Sequence, residues 1–235
     1  MKSNILFDRQ RFVEILNFYK QHGLTPQTAQ LRFEVPIQAG RGHYEIQVNR
    51  EGIIASRSTE KRLPRNDAFV TKGLGVFLMV EDVTKPGSAP LLSYPLLQSD
   101  ALPPGYKGFT TADVEAFYNG SIEILTGSKA DFEGIPLRRF RNVPQTQPAE
   151  NAGDSIGLLP EFNSDDMILN LAERFTFAGT RDQKIRIDFP YTPAMDFSTP
   201  EGTQAFIVVV ADGWLVKDGT NHIFRDADNP IGMAI

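Results

Sequence analysis

With no cysteine in its 235 residues, any chemistry in this chain must come from carboxylates, imidazoles, hydroxyls or aromatic faces. Disulfides, thiolate zinc sites and thiol catalysis are excluded, while the redox compartment stays open. Glu161, Asp165, Asp188 and Asp196 could pair in space as the acid and base of a glycosidase. Two carboxylates on different strands obey no spacing rule, however, so the pattern carries little weight. Trp214, Tyr94, Tyr106 and Tyr191 could form a sugar-stacking platform, although aromatic residues on strands are mostly core.

His22, His43 and His222 stand in unrelated local contexts, and no His-x-His occurs, so the usual metal signal of enzymatic double-sheet barrels is missing. Asp226-Ala-Asp228-Asn229 looks like half of a calcium loop, but Pro230 stands where such a loop needs glycine and no glutamate closes it. Asp165 and Asp166 point apart on an extended chain. Asn119-Gly-Ser121 matches a glycosylation triplet, which has meaning only after secretion. No nucleophile elbow, zinc-binding helix or phosphate loop occurs. The expectation is a scaffold, not an enzyme, with no cofactor and no metal.

The elements that would carry such residues are mostly strands. Long β-branched and aromatic runs punctuated by Gly, Pro and Asp, with 16 Pro and 19 Gly, suit an all-β chain. Residues 8–21 carry a helical stripe of Phe12, Ile15, Leu16 and Tyr19, with Phe18 widening it, Asp8 as N-cap, and Gly23 and Pro26 as the stop. That helix either covers one end of a sandwich or reaches a neighbouring subunit or a membrane surface; the mixed charges of Asp8, Arg9, Arg11, Glu14 and Lys20 weaken the membrane version.

Strands are expected over 30–37 and 43–48, joined as a hairpin through Ala39-Gly-Arg-Gly42, then over 53–57, and over 68–80 as one long strand or two, with Gly73 and Gly75 marking a bulge or bend. A Pro-rich excursion over 84–108 holds one strand near 91–97, and Thr111–Tyr118 is a short helix burying Val114, Phe117 and Tyr118. Strands follow over 121–125, 135–143, 156–159, 167–178, 184–189, 205–211, 214–217 and 222–225. The segment 144–155 reads as a linker and the best internal boundary.

A net charge of −5 argues against general nucleic-acid binding. Arg138, Arg139 and Arg141 form the one basic cluster, read as a solvated strand edge and a possible contact point. No apolar stretch is long enough to span a bilayer, and residues 1–6 lack a signal-peptide core, so cytoplasmic synthesis is expected.

The order of features (an amphipathic N-terminal helix, Asn66-Asp-Ala-Phe69 opening a long apolar strand, a Pro-rich excursion, Phe117-Tyr-Asn-Gly-Ser-Ile-Glu-Ile124 and Phe140-Arg-Asn-Val-Pro-Gln145) resembles the jelly-roll major capsid proteins of tailless icosahedral, membrane-containing bacteriophages. The likeness is one of layout over most of the chain. It implies a jelly-roll β-sandwich in two compact barrels: an N-terminal arm over 1–25, a first sandwich over 26–148 and a second over 149–235, one sandwich over 26–235 being the alternative. It further implies a virion shell subunit made in the host cytoplasm, forming a homotrimer with other capsid proteins around it and an internal membrane near its helix. The residues expected at subunit interfaces are Phe12, Ile15, Leu16 and Tyr19 of the arm and Tyr94, Leu96, Tyr106 and Phe109 of the excursion. The rival expectation is a carbohydrate-binding β-sandwich, such as a receptor-binding or adhesin module.

Overall fold

A computed structural model of the chain describes residues 2–49, 57–93, 111–141, 145–148, 158–161, 168–190 and 202–224. The helix α1 (Lys2–Gln21) precedes strands β1 (Gln27–Pro36), β2 (His43–Gln47) and β3 (Ala68–Asp82). After a second helix, α2 (Thr111–Tyr118), come β4 (Ser121–Thr126), β5 (Lys129–Pro136), a 3-10 turn at Leu137–Phe140, β6 (Gln145–Pro148) and β7 (Leu158–Glu161). β8 (Leu169–Ala178), β9 (Gln183–Asp188) and β10 (Thr203–Val216) complete the described elements.

Eight of these strands form two antiparallel four-stranded sheets, one in the order β1-β10-β3-β8 and the other β2-β9-β4-β5, while β6 and β7 pair only with each other. The pairings nest. β1 lies against β10, β2 against β9, β3 against β8 and β4 against β5, so the chain behaves as one long hairpin whose ends are its first and last strands. Two further pairings, β10 with β3 and β9 with β4, roll that hairpin into a double sheet.

Alternation along each strand fills the space between the sheets. Leu31 and Phe33 of β1, Leu74, Val76, Leu78 and Val80 of β3, and Ala205, Ile207, Val209 and Ala211 of β10 face Tyr44 and Ile46, Ile122 and Ile124, and Ile185 and Ile187 of the second sheet in one apolar cluster. At roughly 1.5–3 kcal/mol for each fully buried aliphatic or aromatic side chain, this cluster is the main favourable term of the fold. α2 closes one end with Val114, Phe117 and Tyr118, the last donating its phenol to the Val76 carbonyl at 2.8 Å.

The two outer faces differ. On the β1-β10-β3-β8 sheet the outward residues Phe77, Met79, Phe206, Val208 and Val210 are themselves buried, with Ala89, Leu91 and Ile168 packed on them. Further along the same face Ala68, Val70, Trp214 and Val216 lie under α1. On the other sheet the outward positions are polar, among them His43, Glu45, Lys184, Arg186, Asp188 and Glu123.

The all-β sandwich, the long strand over 68–80 and the helix over 111–118 stand as expected. Other expectations are corrected. The boundary at 148/149 does not separate two sandwiches, because each sheet combines strands from both sides of it and a single core cluster does too. Ala39-Gly-Arg-Gly42 joins strands of different sheets, not a hairpin: each neighbour finds its partner far along the chain, β1 with β10 and β2 with β9. Residues 145–148 of the expected linker form a strand.

The expected strand over 135–143 stops at Pro136, and Leu137 and Phe140, three apart, bury one side of a 3-10 turn. The runs over 205–211 and 214–217 are one strand; the break between them is a bulge at Asp212/Gly213, where Lys72 of β3 is the extra residue. A Cβ at Gly213 would fall 2.1 Å from the Val70 carbonyl oxygen, which is why glycine stands there. The helix begins at Lys2, so Asp8 is an interior residue and not its cap. Residues 222–224 are not a strand. The strand expected over 53–57 and most of the excursion lie outside the described residues.

Candidate functional site

α1 ends as its sequence dictates. Gly23 takes a positive φ of 74°, and the amides of Gly23 and Leu24 donate to the carbonyls of Lys20 and Tyr19, the paired bonds of a Schellman cap. This aims the apolar stripe at the chain's own sheet. Ile15 and Tyr19 have no exposed area, and the Phe12 ring lies 5.5 Å from that of Trp214. Phe18 meets Phe224 edge-on at 5.7 Å, while Thr176 Oγ1 donates to the Phe224 carbonyl at 2.7 Å, so the segment leading to Phe224 is clamped under the helix. Burial pushes the Tyr19 phenol up to about 12, against the lowering effect of the Phe224 backbone and the Thr176 hydroxyl.

The placement of Ile15 and Tyr19 at a subunit interface is therefore corrected: their surface is consumed within the chain. Phe12 is half-buried at the rim of the same cluster, and Leu16 is half-buried on the helix. Tyr94, Leu96, Tyr106 and Phe109 lie outside the described residues. Trp214, 7% exposed beneath α1, cannot stack on a sugar; Tyr94, Tyr106 and Tyr191, its proposed companions, lie outside the described residues.

Sequence reasoning missed an ionic cluster on the covered sheet. Glu34 of β1 and Glu81 of β3 have fully buried side chains, and both meet Arg57, which reaches Glu34 at 2.5 Å. The Arg57 guanidinium also lies over the Phe206 ring, 4.0 Å from its centroid. Arg32 donates to Glu34 at 2.7 Å, Arg62 to Glu60 at 2.7 Å, and Glu60 in turn accepts the Glu34 and Arg57 amides at 3.0 and 3.2 Å. Three carboxylates thus face three guanidiniums. The cluster ties residues 57–63 to the sheet, a connection reinforced by the Arg32–Lys61 and Asn49–Leu63 bridges. The available signal was Glu81 itself, which alternation sets in line with Phe77 and Met79 on an apolar face where a carboxylate needs a partner.

The outer face of the other sheet is a lattice of exposed pairs. His43 Nδ1 lies 2.6 Å from Asp188 and its Nε2 3.6 Å from Glu45; Lys184 reaches Glu45 at 3.5 Å and Arg186 reaches Asp188 at 3.1 Å as well as Glu123. The two carboxylates flank opposite nitrogens of the ring, so they do not converge on one metal position. Among the described residues no three of His, Asp and Glu form a metal-holding group. His22 and His222, distant in sequence, stack with centroids 4.0 Å apart.

Of the carboxylates that could serve a glycosidase, Asp188 belongs to this lattice and Glu161 to the backbone of β7, while Asp165 and Asp196 lie outside the described residues, as do Asp226, Asp228 and Asn229. Arg138 and Arg139 project from the 3-10 turn, exposed, while Arg141 donates to Glu115 of α2 at 2.5 Å.

No described helix is long and apolar enough to cross a membrane. No protein-family model matches the chain, and no match was found among curated proteins or solved structures.

Proposed function

We propose that this protein is a structural subunit that works by self-association, a virion shell protein built on one jelly roll of eight strands. The observation that carries the reading is the nested pairing of β1 with β10, β2 with β9, β3 with β8 and β4 with β5, rolled into two four-stranded sheets. That arrangement supports a jelly roll, a class that includes capsid and lectin domains and cupins. Against the cupin and lectin branches stand the largely apolar filling between the sheets and the burial of Trp214. The resemblance in layout to major capsid proteins of membrane-containing phages points the same way and suggests a homotrimer within a shell of other capsid proteins. Contact of α1 with an internal membrane is not part of the proposal, because its apolar stripe is turned onto the sheet.

Light scattering after size exclusion, over a wide range of protein concentration, together with electron microscopy of the purified protein, tests the reading. Species of several chain masses that persist on dilution, or regular particles, are expected. A monomer at every concentration, with no particles, overturns it.

A further inference from the structure

We infer that the exposed edge running from β5 into the 3-10 turn is a two-fold contact between copies of this chain, an inference that rests on the self-association reading above. β5 is the last strand of its sheet, so among the described residues one of its edges has no strand beside it. Along this edge Asp131 and Glu133 are exposed, Pro136 ends the strand, and Arg138 and Arg139 are exposed immediately after.

Among the described residues Glu133, Arg138 and Arg139 make no ion pair, whereas most charged side chains of the neighbouring sheet face are paired; Asp131 accepts a bond from the Thr126 hydroxyl. The arginines are held in place from behind, with Leu137 at 0% and Phe140 at 3% exposure anchoring the turn, so their forks are presented on a fixed support.

After the exposed Lys129 that begins the strand, the order of Asp131, Glu133, Arg138 and Arg139 (acid, acid, arginine, arginine) is self-complementary under a two-fold axis. An axis near Ile135–Pro136 sets Glu133 opposite Arg138 and Asp131 opposite Arg139 of a second copy, and the same pairs recur on the other side of the axis. The contact is made by side chains and not by a continued ladder. Gly134 at φ 57° and two register shifts make the strand irregular, and Pro136 has no amide to donate. A polyanion fits this patch less well than a carboxylate-bearing protein surface, since the chain carries a net charge of −5 that repels phosphate backbones at longer range. In a shell, such a contact would join one oligomer to the next.

The test compares wild type, D131R/E133R, R138E/R139E and the four-fold exchange D131R/E133R/R138E/R139E by light scattering, with thermal unfolding followed by circular dichroism to show that each variant folds. Each double variant sets like charges against each other across the axis and is expected to weaken self-association by about tenfold or more, while the exchange restores it. Raising salt from about 0.1 to 1 M, which shortens the screening length from roughly 10 to 3 Å, is expected to weaken the wild-type contact in the same direction. For a double variant that fails to fold, the charge-neutral R138Q/R139Q replaces it and is expected to show a smaller loss.

Unchanged association in both doubles overturns the contact while leaving the shell reading intact, and loss in both without recovery in the exchange overturns the pairing. Heparin retention lost in R138E/R139E with association unaltered overturns it in favour of a polyanion surface. A wild type that is monomeric throughout removes the shell reading itself.

Discussion

Glu34 shows how a single residue type can carry a cost that its surroundings must cancel. Its carboxylate is fully buried and accepts from Arg32 and Arg57, so neither its charge nor its lone pairs are left to the apolar face around it. Such clusters add little net stability over a well-packed apolar substitute, but removing one partner leaves charge stranded. Glu34→Ala is expected to lower unfolding stability by about 3–5 kcal/mol in urea titrations, and Glu34→Gln by less. The tyrosines give a pH signature. Burial holds the phenol of Tyr19 up to about 12 and raises that of Tyr118 further, so both stay neutral in the folded chain at pH values where an unfolded tyrosine near 10 ionises. The stability they contribute is full below about pH 10 and is lost as pH climbs toward 12. Tyr19 and Tyr118 are expected to ionise later than an unfolded tyrosine in an ultraviolet titration, in step with loss of the circular dichroism of the fold.

At the scale of elements, α1 belongs to the body of the molecule. Ile15→Ala, which empties a fully buried position between the helix and Trp214, is expected to cost about 2–5 kcal/mol of stability and to increase tryptophan exposure in fluorescence quenching. An unaltered quenching profile would contradict the seating of the helix. The stripe of this helix, its Gly23 stop and the apolar cores of β3 and β10 are legible from spacing and composition alone, because periodicity and β-branching are local signals. Gly40 and Gly42 suggested a reversal within one sheet, yet glycine permits many chain directions and only the distant partners select among them. Pro136 and the three-residue spacing of Leu137 and Phe140 mark a 3-10 turn where the alternation of Arg138 to Arg141 imitates a strand.

For the whole molecule, strand identity was readable but strand partnership was not. β1 and β10 meet through Phe33 and Val209, separated by most of the chain, and no local pattern distinguishes one apolar run as a partner from another. The ionic cluster was hidden for the same reason: Arg57 becomes meaningful only when β1 and β3 are placed on either side of β10. That central place of β10 has a temporal consequence. The strand lying between β1 and β3 is the last of the sandwich to be translated, so a ribosome releases β1 and β3 with no neighbour between them until residues 203–216 have emerged. Contacts this distant make folding slow and leave the nascent apolar strands open to chaperones. Chains interrupted before that point cannot complete this sheet, because β1 and β3 are then left without the strand that joins them.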